Sequence, residues 1–374
     1  MILVIIATHY LPHVGGLELA TFHLAKELDK QHNEVHIITP SPDPNKNTTP
    51  IHMHRYPIHT YPDEGPIRAF IDGLTFFKKT VKTIKEIKPD IIHAQNITNS
   101  IPAYIAWKKY HIPYTICIHG NLELMGPFLP ASLKRFWPQL PHIKEAAQII
   151  TLTNEMATQF EKELGTKPVV IPNGVDLDRF YPAENNEMKK SASPVILTLS
   201  RIDNKKGLEY AIESMKKVHA KFPTAKLMIV GDGEYRSELE KLVEMNMLSA
   251  TVEFTGLIPN SEVPVYLRNA DLFLLPSLYE GLPLTLLEAM ACGLPVISTP
   301  VSIAPEIITT WKNGYIIPFK SPDAIYEAII DLLSNPDKRR QCAENSFRAA
   351  KETMSWENVA KQYAELYQFI LESN

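Results

Sequence analysis

Cysteine is scarce in this chain of 374 residues: Cys117, Cys292 and Cys342 lie far apart, with no C-x-x-C pair. That excludes a disulfide framework, offers no zinc-finger ligand set and fits a reducing, cytoplasmic compartment. A basic excess is also missing. The formal net charge is −4, so the footprint that nucleic-acid binding requires is absent and any basic surface must be local. The apolar opening, residues 1–7, is too short to cross a bilayer and has no basic stretch before it. A buried parallel strand is therefore expected there rather than a signal peptide.

What is present is ordinary for a soluble globular protein, with 45% hydrophobic and 21% charged residues. The length exceeds one ordinary core, so two domains are expected. Short apolar runs alternate with segments of helical periodicity, the pattern of parallel sheets joined by crossover helices. Strands are expected at 2–6, 35–39, 51–56, 91–93, 114–118, 149–152 and 169–171. The second half repeats the theme at 195–200, 226–230, 252–255, 272–275, 295–298 and 314–317. Both halves open strand, loop, helix, which predicts two similar doubly wound units. The polar, aperiodic stretch 183–193 is the expected linker between a first domain at 1–182 and a second at 194–354.

The segment from Glu280 to Glu288 carries the most chemistry. A turn signal, Glu280-Gly281-Leu282-Pro283, hands over to the helix-forming run that begins at Leu284. One carboxylate then lies in a loop and the other inside a helix, with Pro283 suited to the first helical position and Gly293 to the C-terminal cap. Unpaired N–H groups near Leu284 and Thr285, aided by about half a positive charge from the helix dipole, would face an anion such as a phosphate. Glu288 matches the vicinal hydroxyls of a ribose, and Glu280 can accept from a second sugar beyond the phosphates. The bland alternative is a buried helix with two incidental glutamates.

Three further loops follow expected strands, where open parallel sheets bind ligands. Gly15 and Gly16 stand at the entrance of the first helix, where glycine lets a diphosphate or sugar approach the backbone, but they do not form G-x-G-x-x-G. In Arg201-Ile202-Asp203-Asn204-Lys205-Lys206-Gly207, cations sit at a helix start and oppose its dipole unless an anion joins them. Arg201 and one of the two lysines would hold a diphosphate. His119, at a strand end beside Gly120, can donate or accept near a substrate, although incidental histidines are commoner. His9 and His93 are lesser candidates on the same grounds.

Taken in order, the glycine pair, the histidine, R-x4-K-G and E-x7-E resemble the signature of the family 4 retaining glycosyltransferases, and the resemblance runs the length of the chain. It implies a GT-B type α/β fold, in which two doubly wound Rossmann-like domains face a central cleft and close about the linker. The segment 355–374 would then be the terminal helix that crosses back onto the first, acceptor-binding domain, leaving the nucleotide-sugar to the second. The resemblance selects Lys206 over Lys205 for the phosphates. It makes Glu280 and His119 the catalytic pair, brings Arg201, Lys206, Gly16, Leu284 and Thr285 to the donor phosphates, and gives Glu288 the ribose. Gly15, Gly281 and Asn173 would line the cleft. Two departures are visible: Pro283 stands where many relatives have glycine, and Ser302-Ile303 replaces a glycine-rich stretch.

The co-substrate implied is a nucleotide-diphosphate sugar of UDP or GDP type, the acceptor a glycan, a lipid-linked glycan or a small molecule, and no metal or cofactor is expected. Asp176-Leu177-Asp178 has a metal-binding D-x-D form but belongs to a turn, and His52 with His54 reads as a solvated strand face. Gly231-Asp232-Gly233-Glu234 reads as a tight turn that could line the donor site. Lys134-Arg135-Phe136-Trp137 joins basic and aromatic residues as a peripheral membrane contact on the inner face of the membrane would, although a helix packing on its own domain is the favoured reading. A noncatalytic nucleotide-sugar-binding subunit would not need Glu280 or His119. A retaining glycosidase needs two carboxyl groups about 5 Å apart, which a loop-and-helix pair makes difficult.

Overall fold

Runs of two to seven residues, mostly β-branched and aliphatic and too short for helices, form the strands of two parallel sheets, most of them apolar on both faces. The computed structural model describes residues 1–8, 10, 16–40, 51–56, 66–119, 140–165, 167–183, 193–310 and 312–373, with the backbone alone at 66–70 and 164. The first sheet contains β1 (Ile2–Ile6), β2 (Glu34–Pro40), β3 (His52–Tyr56), β4 (Ile91–Ala94), β5 (Tyr114–Ile118), β6 (Gln148–Thr151) and β7 (Val169–Val170). Its order is β3-β2-β1-β4-β5-β6-β7. The second contains β8 (Val195–Leu199), β9 (Lys226–Val230), β10 (Val252–Gly256), β11 (Leu272–Leu275), β12 (Val296–Ser298) and β13 (Gly314–Ile316), ordered β10-β9-β8-β11-β12-β13. In both, the strand order reverses beside the first strand, which is the topological switch point where such sheets bind ligands.

Local chemistry sets the helix limits. Thr153 caps the helix Asn154–Leu164 by accepting from the Met156 N–H at 3.1 Å, and Gly165 ends it at φ 73°. Such a cap stabilises by about 1 kcal/mol. The helix Leu284–Ala291 ends as expected, with Gly293 at φ 72° and paired bonds from Gly293 N–H to Met290 O (2.9 Å) and Leu294 N–H to Ala289 O (3.0 Å). Those bonds satisfy carbonyls the helix would otherwise leave open. Pro283, however, is the N-cap in extended conformation (φ −76°, ψ 90°) rather than the first helical residue.

The contacts divide the chain into one unit of Met1–Gly174 with Trp356–Asn374 and another of Val175–Ser355. Residues 175–182, assigned to the first domain from sequence, pack in the second. Val175 and Phe180 are buried in its core with Leu286, Met290 and Met354, and the Val175 N–H donates to Met354 O at 2.7 Å. Most of the expected linker lies outside the described residues. In the first unit, the helix Trp356–Ser373 buries Trp356, Val359, Tyr363 and Tyr367.

Candidate functional site

In the second unit, the carboxyl ends of β8 and β9 build a pocket. Leu199, Ser200 and Arg201 leave β8, Val230, Gly231, Asp232 and Gly233 leave β9, and the two loops touch backbone to backbone. A Cβ on Gly231 would fall 2.0 Å from Ser200 O, and one on Gly233 2.1 Å from Ile202 O. Glycine is required at both positions by that contact. Leu257, Ile258, Asn260 and Val263 complete one wall, and Thr285 of the helix Leu284–Ala291 the other, around a cavity of about 800 Å³. The Gly231–Gly233 turn thus lines the pocket that Arg201 enters, the less favoured of its two readings from sequence.

The loop after Arg201 is folded by its own side chains. Asp203 accepts from the Lys205 N–H at 2.9 Å and shapes a single 3₁₀ turn, Asn204–Lys206. Gly207 follows at φ 60°, pressed so closely on Pro276 that a Cβ would lie 2.3 Å from its carbonyl oxygen. The Leu278 N–H then donates to Lys205 O at 2.7 Å. These contacts bring Lys206 against Glu280: its Nζ donates to Oε1 at 2.8 Å and Oε2 at 2.9 Å, and Ser277 Oγ donates to Oε1 at 2.7 Å. Both side chains are largely buried, 16% exposed for Lys206 and 11% for Glu280. Sequence reasoning gave the lysine to a phosphate and the glutamate to a sugar; here the two neutralise each other.

Glu288 lies three residues beyond Thr285 on the same helix, though it is not among the residues lining the pocket. Burial pushes its carboxyl up to about 7, partly opposed by the Arg179 guanidinium. A buried carboxyl that is half protonated near neutrality is costly to keep, and such groups concentrate at functional sites. Next to it in sequence, the loop 280–283 is held from outside. Ser302 adopts a left-handed φ of 51° and donates its hydroxyl to Gly281 O. The serine that replaces a glycine-rich stretch therefore keeps a glycine-like conformation and adds a hydrogen bond to the loop carrying Glu280.

Comparison with known proteins gives the family. Residues 14–179 match the family described as Glycosyltransferase Family 4, and residues 182–349 the one described as Glycosyl transferases group 1. A GDP-mannose-dependent monoacylated alpha-(1-6)-phosphatidylinositol monomannoside mannosyltransferase of Corynebacterium glutamicum is 30% identical, over 67% of this chain and 68% of its own. The chain belongs to the family 4 glycosyltransferases. Along nearly the whole length, this enzyme is also 25% identical to alpha-monoglucosyldiacylglycerol synthase of Acholeplasma laidlawii, covering 98% of one chain and 96% of the other. Its fold matches sucrose-phosphate synthase of Thermosynechococcus elongatus with a TM-score of 0.80 at 22% identity, each chain covered completely. The two Rossmann-like sheets are those of a GT-B enzyme.

The other expected residues of this glycosyltransferase fall in the first unit, apart from Asp176 and Asp178, which belong to the second. His119 follows β5 and is half-buried; burial lowers its imidazole to about 4, and its Nε2 lies 2.5 Å from Gln95 Oε1. Asn173 is buried, and Gly16 opens the helix Gly16–Lys30 at the surface. Gly15, His9 and the segment Lys134 to Trp137 lie outside the described residues. His93 is a core residue, with Nδ1 at 3.0 Å from Thr115 Oγ1 and 2.9 Å from Tyr367 Oη. Asp176 Oδ1 accepts from the Asp178 N–H at 3.1 Å, as a turn aspartate does. His52 and His54 are not simply solvated: His36 of β2 joins them, its Nδ1 3.1 Å from His54 Nε2 and its Nε2 2.9 Å from Glu34 Oε1. Among the described residues no three His, Cys, Asp or Glu side chains are arranged to hold a metal ion.

Sequence reasoning missed Ser277, Arg179 and Gln95. None stands in a chemical motif, and each acts through a neighbour that only folding supplies.

Proposed function

We propose that this enzyme transfers a sugar from a nucleotide-diphosphate sugar to a lipid-linked acceptor with retention of anomeric configuration. One observation carries the reading: Lys206, Glu280 and Ser277 form a buried, mutually neutralised cluster whose loop adjoins the pocket of Arg201 and Thr285. Arg201 and Lys206 stabilise the diphosphate as its charge develops, performing electrostatically what a metal ion does elsewhere. Lys206 turns from Glu280 toward the phosphate, and the freed carboxylate faces the transferred sugar. The bond from anomeric carbon to diphosphate oxygen breaks as the acceptor oxygen attacks from the same face, and a diphosphate oxygen takes the acceptor proton. Glu280 favours positive charge at the anomeric carbon, His119 contacts a sugar hydroxyl and Glu288 accepts from the ribose.

A lipid-linked acceptor is supported by the names of the two relatives above, both of which contain a glycolipid. It is supported also by the helix Pro66–Ile87. One face of that helix runs Ile71, Leu74, Thr75, Lys78, Lys82 and Lys85, all exposed, with Ile71 54% and Leu74 52% accessible. Apolar residues leading into a row of lysines suit an anionic membrane surface, each lysine contributing about 1 kcal/mol except Lys82, which Glu86 offsets at 3.8 Å.

The test is donor binding measured apart from transfer. Thermal stabilisation by a panel of UDP- and GDP-sugars, with and without EDTA, should select one base, because a ligand at 100 times its Kd adds about 2.7 kcal/mol. Glu288→Ala should lose that stabilisation, while Glu280→Gln should retain it and lose transfer of labelled sugar to a glycolipid. Equal, negligible effects of both variants would reject the assigned roles. Binding without any transfer would favour the noncatalytic subunit.

A further inference from the structure

The roles above leave one buried polar column of the first unit unused. Gln95 directly follows β4, and its N–H donates to Ile6 O at 3.0 Å, so the backbone there continues the β1–β4 pairing by one residue. Its side chain is 1% exposed. Residues 93 and 95 share one face because strand side chains alternate. From the adjoining strand β5 come Thr115, bonded to His93, and His119, bonded to Gln95 at 2.5 Å. From the C-terminal helix comes Tyr367, bonded to His93 at 2.9 Å, with Tyr363 beside it 3.4 Å from Cys117 Sγ.

Every titratable group in this column is held neutral. Burial lowers His119 to about 4, burial and then repulsion from His119 lower His93 to about 3, burial raises Cys117 to about 12, and burial raises both tyrosines well above their usual range. A neutral imidazole has two tautomers, and only one offers a lone pair at a given nitrogen. An amide oxygen can only accept, so Gln95 Oε1 against Nε2 holds the proton there and leaves Nδ1 as the acceptor.

We propose that Gln95 is a positioning residue for His119, fixing its ring and its Nε2–H tautomer so that Nδ1 is presented to a sugar hydroxyl. The catalytic consequence rests on the role given to His119 above; the tautomer itself does not. Nitrogen-15 NMR of histidine-labelled full-length protein reads it without substrate, the His119 signals being those lost in His119→Gln. In the wild type they should report neutral Nε2–H from pH 5.5 to 8. Gln95→Leu should give mixed tautomers. Gln95→Glu keeps an acceptor, so it should preserve the tautomer but carry His119 to the imidazolium, with a midpoint moved upward by two or more pH units. Should the leucine variant fail to fold, the glutamate variant alone decides. Unchanged His119 signals in either folded variant would overturn the proposal.

Transfer assays with the donor selected above separate the two claims. Gln95→Leu should lower kcat about 10- to 100-fold with donor KM within about twofold, and should add nothing to His119→Ala. Altered His119 signals with undiminished transfer in His119→Ala would sink the role of His119 and leave the positioning intact.

Discussion

Replacing Glu288 with glutamine removes one titration and nothing of the side chain's shape. In the folded enzyme the carboxyl is held up to about 7 by burial, against an ordinary value of 4.5. The native state therefore binds the more protons, and stability falls as pH rises from the unfolded value through the folded one. Worked through the linkage relation, the penalty is under about 1 kcal/mol near pH 5, about 2 at pH 6 and about 3 at pH 8. Glutamine has none of it. Glu288→Gln should thus gain on the wild type by roughly 2 kcal/mol between pH 5 and 8, or about 4–8 °C in Tm for a domain of this size. Scanning fluorimetry of both proteins across that range measures the gap. A constant offset between the two curves would refute the raised carboxyl. Ligand binding supplies a second reading, since a ribose that bonds to the ionised group should release a proton at pH 6 in the wild type and none in the variant.

The Lys206–Glu280 pair predicts non-additivity: Lys206→Met should destabilise by about 3 kcal/mol by leaving a buried carboxylate unpaired, and Glu280→Gln in the same chain should recover about 1–2 of it. Urea unfolding of the four proteins measures the coupling, and additivity within about 0.5 kcal/mol would contradict the pairing. Gly231→Ala, whose Cβ would lie 2.0 Å from Ser200 O, should cost about 2 kcal/mol or more and weaken nucleotide binding. Gly73→Ala, in open space within a helix, should instead stabilise by about 0.5–1 kcal/mol; the reverse ranking in thermal scans would show the pocket loops to be separable. Ile71→Ser with Leu74→Ser should reduce co-sedimentation with phosphatidylglycerol vesicles about tenfold and leave the small binding to phosphatidylcholine unchanged, and equal binding by variant and wild type would exclude that helix face.

Strand positions were legible because a parallel strand buried on both faces must be apolar throughout, as in Leu3 to Ile6 and Leu272 to Leu275. Boundaries slipped where polar residues still pair: Glu34 extends β2, and Gln148 opens β6. The unit boundary was misplaced because the polarity minimum after residue 182 marks a solvated stretch, whereas Val175 and Phe180 had already entered the other core. Arg201, the two lysines near it and Glu280 were conspicuous as charged residues at a strand end, a helix start and a turn, Glu288 as a carboxylate within a helix, and the family resemblance chose Lys206 over Lys205. Their mutual arrangement was not legible. The contact of Lys206 with Glu280, set by the packing of Gly207 on Pro276, spans 74 positions, and no local pattern reports it. Gln95 was invisible for the same reason, since an amide after a strand carries no signal until the histidine opposite it is known.

The C-terminal helix belongs to a unit whose remaining residues end at Gly174, where a Cβ would meet the Trp356 backbone at 2.8 Å. During synthesis, the middle of the chain can then complete its sheet while the earlier half still waits for residues that emerge after it. Until Tyr363 and Tyr367 arrive, Cys117 and His93 have no cover on that side. A nascent chain stalled after Ser355 should accordingly react with a thiol alkylating agent at Cys117, and protection there would show that the earlier half closes without its tail.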